Sequence, residues 1–342
     1  MVFKENLYIS KAGLNCLLIF GVLPFFLYAG FSVASYLLFV LYLFVLERVR
    51  ARNVLIFLLV SLLSYIFVVH GPLYSQFSSE VLASAINTTF AFFLLLLSPW
   101  LKMNIVSKEN IYTDLLIVIF LSVSLVLQIP GVKAEAALQI GSFTFALYFA
   151  VSQNIFRKLF LISGVVIGGG RMILAGAVYG LVMFRWPKTH KILSLNLLIL
   201  ASVLTASGIL FAYLNDYLVS LRDQGIYLKG RTGFWLSLLE SNATLFGNGA
   251  GTSLQKITSL MNFNQLPHND YLRIYVDYGL ILFIAFLYSL WRNSLNGPHQ
   301  LFATSVLAAF MLTGNPLSFP TVIVSYLLVL SCHPMKGAKR LL

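Results

Sequence analysis

The chain has 342 residues, 59% of them hydrophobic and 10% charged, with a formal net charge of +12. An ordinary soluble domain carries roughly 25% charged residues, so this balance excludes a soluble globular enzyme and a disordered chain alike. The positive charge does not make nucleic acid a partner, because most basic residues stand in short pieces between apolar runs.

Apolar runs of about 17 to 22 residues can each cross a hydrocarbon layer roughly 30 Å thick as a helix. In chain order, spans are predicted near 12–29, 31–46, 53–69, 81–98, 111–129, 136–152, 155–168, 172–185, 192–211, 271–291, 300–314 and 318–332. The fold class is therefore an all-α polytopic membrane protein of about twelve transmembrane helices, with the lipid bilayer as its surroundings. The first run has no small-residue cleavage site and is followed at once by further spans, so it reads as an anchor. Cys16 and Cys332 lie inside apolar runs near opposite ends, which argues against a disulfide framework or a thiol metal site.

Basic residues resist translocation, and they set the orientation. With the N-terminus in the cytoplasm, the alternate loops collect Lys and Arg, and the outer side keeps Lys133, Arg171, Arg222, Lys229, Arg231, Lys256 and Arg273. Both termini are then cytoplasmic. Residues 212–270 form the one long connection, on the outer side, within a single membrane domain covering 1–342. Loops of this length are functional or disordered. Trp235, Phe246 and several leucines make this one read as folded, with short amphipathic helices near 213–223 and 232–240 and then the turn "FGNGAGTS".

Three outer features break the apolar background. In "SGVVIGGGRMILAG", Arg171 follows three glycines between two spans. It can be a snorkelling anchor, or, with glycine amides beside it, part of an anion site. In "LKGRTGFW", Lys229 and Arg231 are either solvated loop charges or a planar fork suited to phosphate oxygens. The following "LFGNGAGTS" lacks the GK[ST] ending of a nucleotide loop.

The third feature is "NQLPHNDYLRIYVDYG". Pro267, Asn269 and Asp270 suit a helix beginning. A helix from there puts His268, Tyr271, Tyr275 and Tyr278 on one face and Asp270, Arg273 and Asp277 on another. The tyrosines fit an interfacial belt, and the charged set fits an ion-paired staple. His268 sits where the helix dipole favours a neutral imidazole, available as a base near pH 7. His70, His190, His299 and His333 have no such context. No HExxH, CxxC or acidic pair at ligand spacing occurs, so no metal and no other cofactor is expected.

On these residues the chain resembles the bacterial O-antigen polymerase and O-antigen ligase superfamily, multi-spanning glycosyltransferases of the GT-C type. The resemblance lies in residues 168–185 and 229–291, through Arg171 after small residues, "GRTGFW", "LFGNGAGTS" and "HNDYLRIYVDYGL". Glycine stands before Arg171 where the family usually has serine. The resemblance implies a metal-independent, inverting transfer of glycan from undecaprenyl diphosphate to an acceptor hydroxyl, on the outer face of the bacterial plasma membrane. It implies catalytic roles for Arg171, Arg231 and His268. The arginines would hold the departing diphosphate and His268 would take the hydroxyl proton. Lys229, Asn269, Asp270, Tyr271 and Arg273 would then contact substrate. A polymerase would extend a lipid-linked repeat unit, with a chain-length regulator as a candidate partner. A ligase would instead use lipid A core as acceptor. The rival of another class is a transporter or flippase for a lipid-linked or anionic solute, which should show related halves, discontinuous helices or ionisable groups at mid-membrane.

Overall fold

The structure, a computed structural model, describes residues 51–69, 79–101, 105–106, 141–147, 149, 152, 155–167, 170–185, 238, 245–261 and 268–333. Helix α1 (Ala51–Val69) and helix α2 (Ser79–Leu97) come first, and α2 ends in a 3-10 turn at Ser98–Trp100. Residues 141–147 are helical. They are followed by α3 (Ile155–Ile167) and α4 (Arg171–Arg185), and further on by α5 (Thr252–Met261) and α6 (Asp270–Ser294). The chain then runs through α7 (Pro298–Thr313), a 3-10 turn at Pro316–Ser318 and α8 (Pro320–Ser331). Proline opens both α7 and α8, where its missing N–H costs nothing and its fixed φ suits the first turn. Among the described residues the only extended pairing is a two-residue parallel ladder, Ile105–Val106 with Cys332–His333.

The described part is thus all-helical, and two of its helices, α1 and α6, are long and apolar enough to cross a membrane. On α1 the inward residues Ile56, Val60 and Val68 are buried, while Leu55, Leu58, Leu59, Leu62, Tyr65 and Ile66 are exposed. An apolar face of that extent suits hydrocarbon better than water. The expected spans 53–69, 81–98, 155–168, 172–185, 271–291, 300–314 and 318–332 each coincide with a helix. The expected spans 12–29, 31–46, 111–129 and 192–211 lie outside the described residues, as do the loop helix near 213–223 and all but Leu238 of that near 232–240.

The core gathers α2, α6, α7 and α8. Helices α2 and α6 run in the same direction. The Tyr278 ring stacks on Phe92 at 4.2 Å, with its hydroxyl 2.8 Å from Thr89 Oγ1. Further along, Ser289 Oγ donates to Leu96 O at 2.7 Å and Asn293 Nδ2 to Ser98 Oγ at 2.6 Å. Helices α7 and α8 are antiparallel, tied by Thr304 Oγ1 to Tyr326 OH at 2.9 Å and by Gln300 Nε2 donating to Leu330 O at 3.1 Å.

Helix α4 lies on α7 along two glycines four residues apart. A Cβ on Gly176 would stand 2.8 Å from both Ser305 O and Ala309 Cβ, and one on Gly180 would stand 3.0 Å from Phe302. This is the small-residue crossing that lets two backbones approach where no hydrophobic effect separates helix from lipid. It also fixes the register. Gly180 meets Phe302 and Gly176 meets Ala309, so α4 runs opposite to α7, and Arg171 comes out at the end where α7 gives way to Gly314 and Asn315.

Candidate functional site

That end of the bundle is also where α6 begins. Asn269 caps it in an extended conformation, with Oδ1 accepting the Leu272 amide at 3.0 Å. The cap places His268 ahead of the helix, so it does not share a helical face with Tyr271, Tyr275 and Tyr278 as expected. His268 instead takes a left-handed backbone, φ 56°, the only positive φ outside glycine among the described residues. Such a conformation costs on the order of 1–3 kcal/mol in a non-glycine residue and persists where surroundings over-determine it. Here the surroundings include Asn315. The His268 amide donates to Asn315 Oδ1 at 2.8 Å, and Asn315 Nδ2 stands 3.3 Å from His268 Nδ1. Asn315 is buried and His268 half-buried.

Behind His268 the helix carries a fully buried Asp270, Arg273 and Asp277. Arg273 Nη1 donates to Ser318 Oγ at 2.8 Å, with Asp270 Oδ1 at 4.0 Å and Asp277 Oδ2 at 3.9 Å from its guanidinium. Asp270 Oδ2 accepts the Leu317 amide at 2.8 Å, which fastens the 3-10 turn after α7 to the start of α6. Asp277 reaches the other way and accepts Ser253 N at 2.8 Å, Ser253 Oγ at 3.0 Å and Gly251 N at 3.2 Å. It thereby satisfies amides at the start of α5, where a carboxylate also meets the positive end of the helix dipole. The i,i+3 and i,i+4 spacing read from the sequence does produce the staple, and the staple ties three segments together.

Helix α6 is not continuous. Gly279 has φ 82° and ψ 176°, and the strand of loop around Gly247, φ 79°, crosses it backbone against backbone. A Cβ on Gly279 would stand 2.5 Å from Leu245 O, so no side chain fits at this crossing. The carbonyls of Val276 and Asp277 accept Asn248 N and Gly249 N, each at 3.0 Å, and Ile281 N donates to Leu245 O at 3.3 Å. The turn "FGNGAGTS" therefore serves to fill the break in a helix with matching main-chain partners, the condition for irregular backbone in an apolar setting.

The substrate contacts expected of Asn269, Asp270, Tyr271 and Arg273 need correction. None is more than 1% exposed, and each is held inside the protein, Tyr271 by its hydroxyl donating to Ala308 O at 3.2 Å. They shape the site from behind. The tyrosines do not form an interfacial belt either. Tyr271 and Tyr278 are core residues, and Tyr275 packs edge-on against Phe283 at 6.0 Å. Arg171 is exposed at the first residue of α4. The expected site residues Lys229 and Arg231 lie outside the described residues. The structure thus brings His268 and Arg171 to one end of the bundle.

Sequence reasoning missed Asn315, Ser318 and α5. The signal for α5 was a short amphipathic "TSLQKITSLM" right after a glycine turn. Nothing local could have paired Asn315 with His268, 47 positions away. Among the described residues, no three His, Cys, Asp or Glu side chains gather to hold a metal. No protein-family model matches the chain, and no curated protein or solved structure matches it.

Proposed function

We propose that the chain is a surface-polysaccharide polymerase of the O-antigen type. It would transfer glycan from undecaprenyl diphosphate to the hydroxyl of a lipid-linked repeat unit on the outer face of the bacterial plasma membrane. The observation that carries this reading is His268, held in a left-handed backbone by Asn315 at the same bundle end as the exposed Arg171. A strained polar residue and an unburied guanidinium at the same end of a bundle of apolar helices suit a substrate with a prenyl tail and an anionic head.

In the reaction the anomeric carbon loses its bond to the diphosphate oxygen, which keeps the electron pair. The acceptor oxygen forms the new glycosidic bond from the opposite side, inverting the configuration. Negative charge grows on the diphosphate as it departs, so guanidinium groups such as those of Arg171 and Arg231 would lower the barrier by meeting it. Lys229 joins them as a point charge. His268 is the polar group proposed for the reacting end. Asn269, Asp270, Tyr271 and Arg273 hold the start of α6 in place.

One observation favours the transporter reading: α6 is discontinuous and carries buried ionisable residues. In a transporter such a break opens its amides and carbonyls to solute. Here those groups are taken by residues 245–249, which weighs toward a fixed scaffold. The test is an assay of the purified protein with undecaprenyl-diphosphate-linked repeat units, without metal or nucleotide, resolved on a glycan gel. A ladder lost in His268→Ala, with the variant still accumulating in the membrane, is the expected result. A single product formed only with lipid A core would make the protein a ligase. No product under either condition would end the glycosyltransferase reading.

A further inference from the structure

The contact between Asn315 and His268 determines more than position. We infer that Asn315 fixes the proton of His268 on Nε2, so that the imidazole meets an anionic substrate oxygen as a hydrogen-bond donor and not as a base.

The two atoms of the Asn315 amide are told apart by their partners. A backbone N–H can only donate, and that of His268 lies 2.8 Å from Oδ1. Reversing the amide would set its NH2 group against that N–H, two donors face to face. The amide nitrogen is therefore the atom 3.3 Å from His268 Nδ1. An amide NH2 has hydrogens to give and no lone pair to offer, so Nδ1 must accept. A neutral imidazole that accepts at Nδ1 carries its proton on Nε2. A histidine base needs the reverse, with Nδ1–H oriented by an acceptor and Nε2 bare, as in the catalytic triad, where a carboxylate faces Nδ1. An amide nitrogen stands in its place here.

Asn315 is itself held for this task. It precedes the 3-10 turn Pro316–Ser318 but makes no side-chain cap to that turn, and its side chain is turned to His268. The same turn is pinned by Leu317 N donating to Asp270 Oδ2 and by Ser318 Oγ accepting from Arg273 Nη1, both at 2.8 Å. The buried charged cluster thus sets the place of Asn315, and Asn315 sets the proton of His268. Asn315 is a positioning residue.

The donor role rests on the glycan-transfer reading. Within it, Nε2–H bonds a diphosphate oxygen alongside the arginines as the anomeric bond breaks. The acceptor hydroxyl, on the face opposite the diphosphate, gives its proton to solvent water as the glycosidic bond forms, so that glycan and acceptor are joined and lipid diphosphate is released as the anion. The base role expected of His268 from the sequence is replaced.

The tautomer is tested without any substrate, by solid-state NMR of the full chain in lipid with 15N-labelled histidine rings. The His268 signals are assigned by their loss in His268→Gln and, independently, by through-space correlation to labelled asparagine amide. The expected spectrum has Nδ1 of His268 in the unprotonated region and Nε2 protonated, and Asn315→Asp should move the proton to Nδ1. A wild-type proton on Nδ1 overturns the inference, even where Asn315→Asp does not accumulate. An unchanged tautomer in a folded Asn315→Asp removes Asn315 from control. In the transfer assay, His268→Gln, which keeps an N–H, should stay within about tenfold of wild type, while His268→Ala falls about a hundredfold or more. Equal loss in both overturns the donor role. Absence of transfer by the wild type would refute the enzyme reading alone, since the NMR result decides the tautomer regardless.

Discussion

Arg171 and Arg273 lie toward the same end of the bundle, near the starts of α4 and α6, and their surroundings could hardly differ more. Arg273 is completely buried, between two carboxylates and a serine hydroxyl. Arg171 is exposed. A guanidinium cannot lose its charge, so when buried it must be compensated from within the protein, and its partners then become part of the scaffold. An exposed guanidinium at the rim keeps its donors for water, lipid headgroup or substrate. Of two arginines that look alike in the sequence, burial makes one a staple and leaves the other available for an anion.

That contrast can be broken most severely from the scaffold side. Gly279→Val places a side chain where the loop backbone around Gly247 already lies, in a left-handed conformation closed to valine. The protein should fail to accumulate in the membrane, as measured by immunoblot against the wild type. A normal level of folded Gly279→Val would show that the loop does not dock on α6. Next in size, Asp277→Ala leaves Arg273 buried with one carboxylate fewer and removes the acceptor for Gly251 and Ser253. A loss of about 3–5 kcal/mol is expected, read as a lowered thermal midpoint in detergent.

Tyr278→Phe sharpens the comparison by removing a single neutral contact from the same helix. The ring keeps its stack on Phe92 and loses the bond to Thr89, for about 1 kcal/mol. A loss as large as that of Asp277→Ala would mean that burial and not charge governs this region. The smallest effect belongs to Arg171→Ala. Its stability should lie within about 0.5 kcal/mol of wild type, while on the proposed function glycan transfer is lost. A strong destabilisation would class Arg171 with Arg273.

Among the described residues, most helix positions were legible in advance. The run 155–168 became Ile155–Ile167, 172–185 became Arg171–Arg185, and 300–314 became Pro298–Thr313. Hydropathy is a sum over neighbours in the chain, and proline and glycine mark helix ends by local backbone chemistry, so these features need no knowledge of the fold. The charged spacing of Asp270, Arg273 and Asp277 was legible for the same reason, as was the N-terminal role of Asn269. The loop helix α5 was missed, being short, amphipathic and dependent on Asp277 for the amides at its start.

The sequence by itself determined a helical, apolar chain whose polar residues collect in a few stretches, because composition and periodicity act over one or two turns. Only the tertiary structure decided which of those polar residues are buried, that α6 breaks at Gly279, and that the amide facing His268 belongs to Asn315. Each depends on segments far apart in the chain meeting in space, and a donor or acceptor acquires its meaning only when its partner is in place.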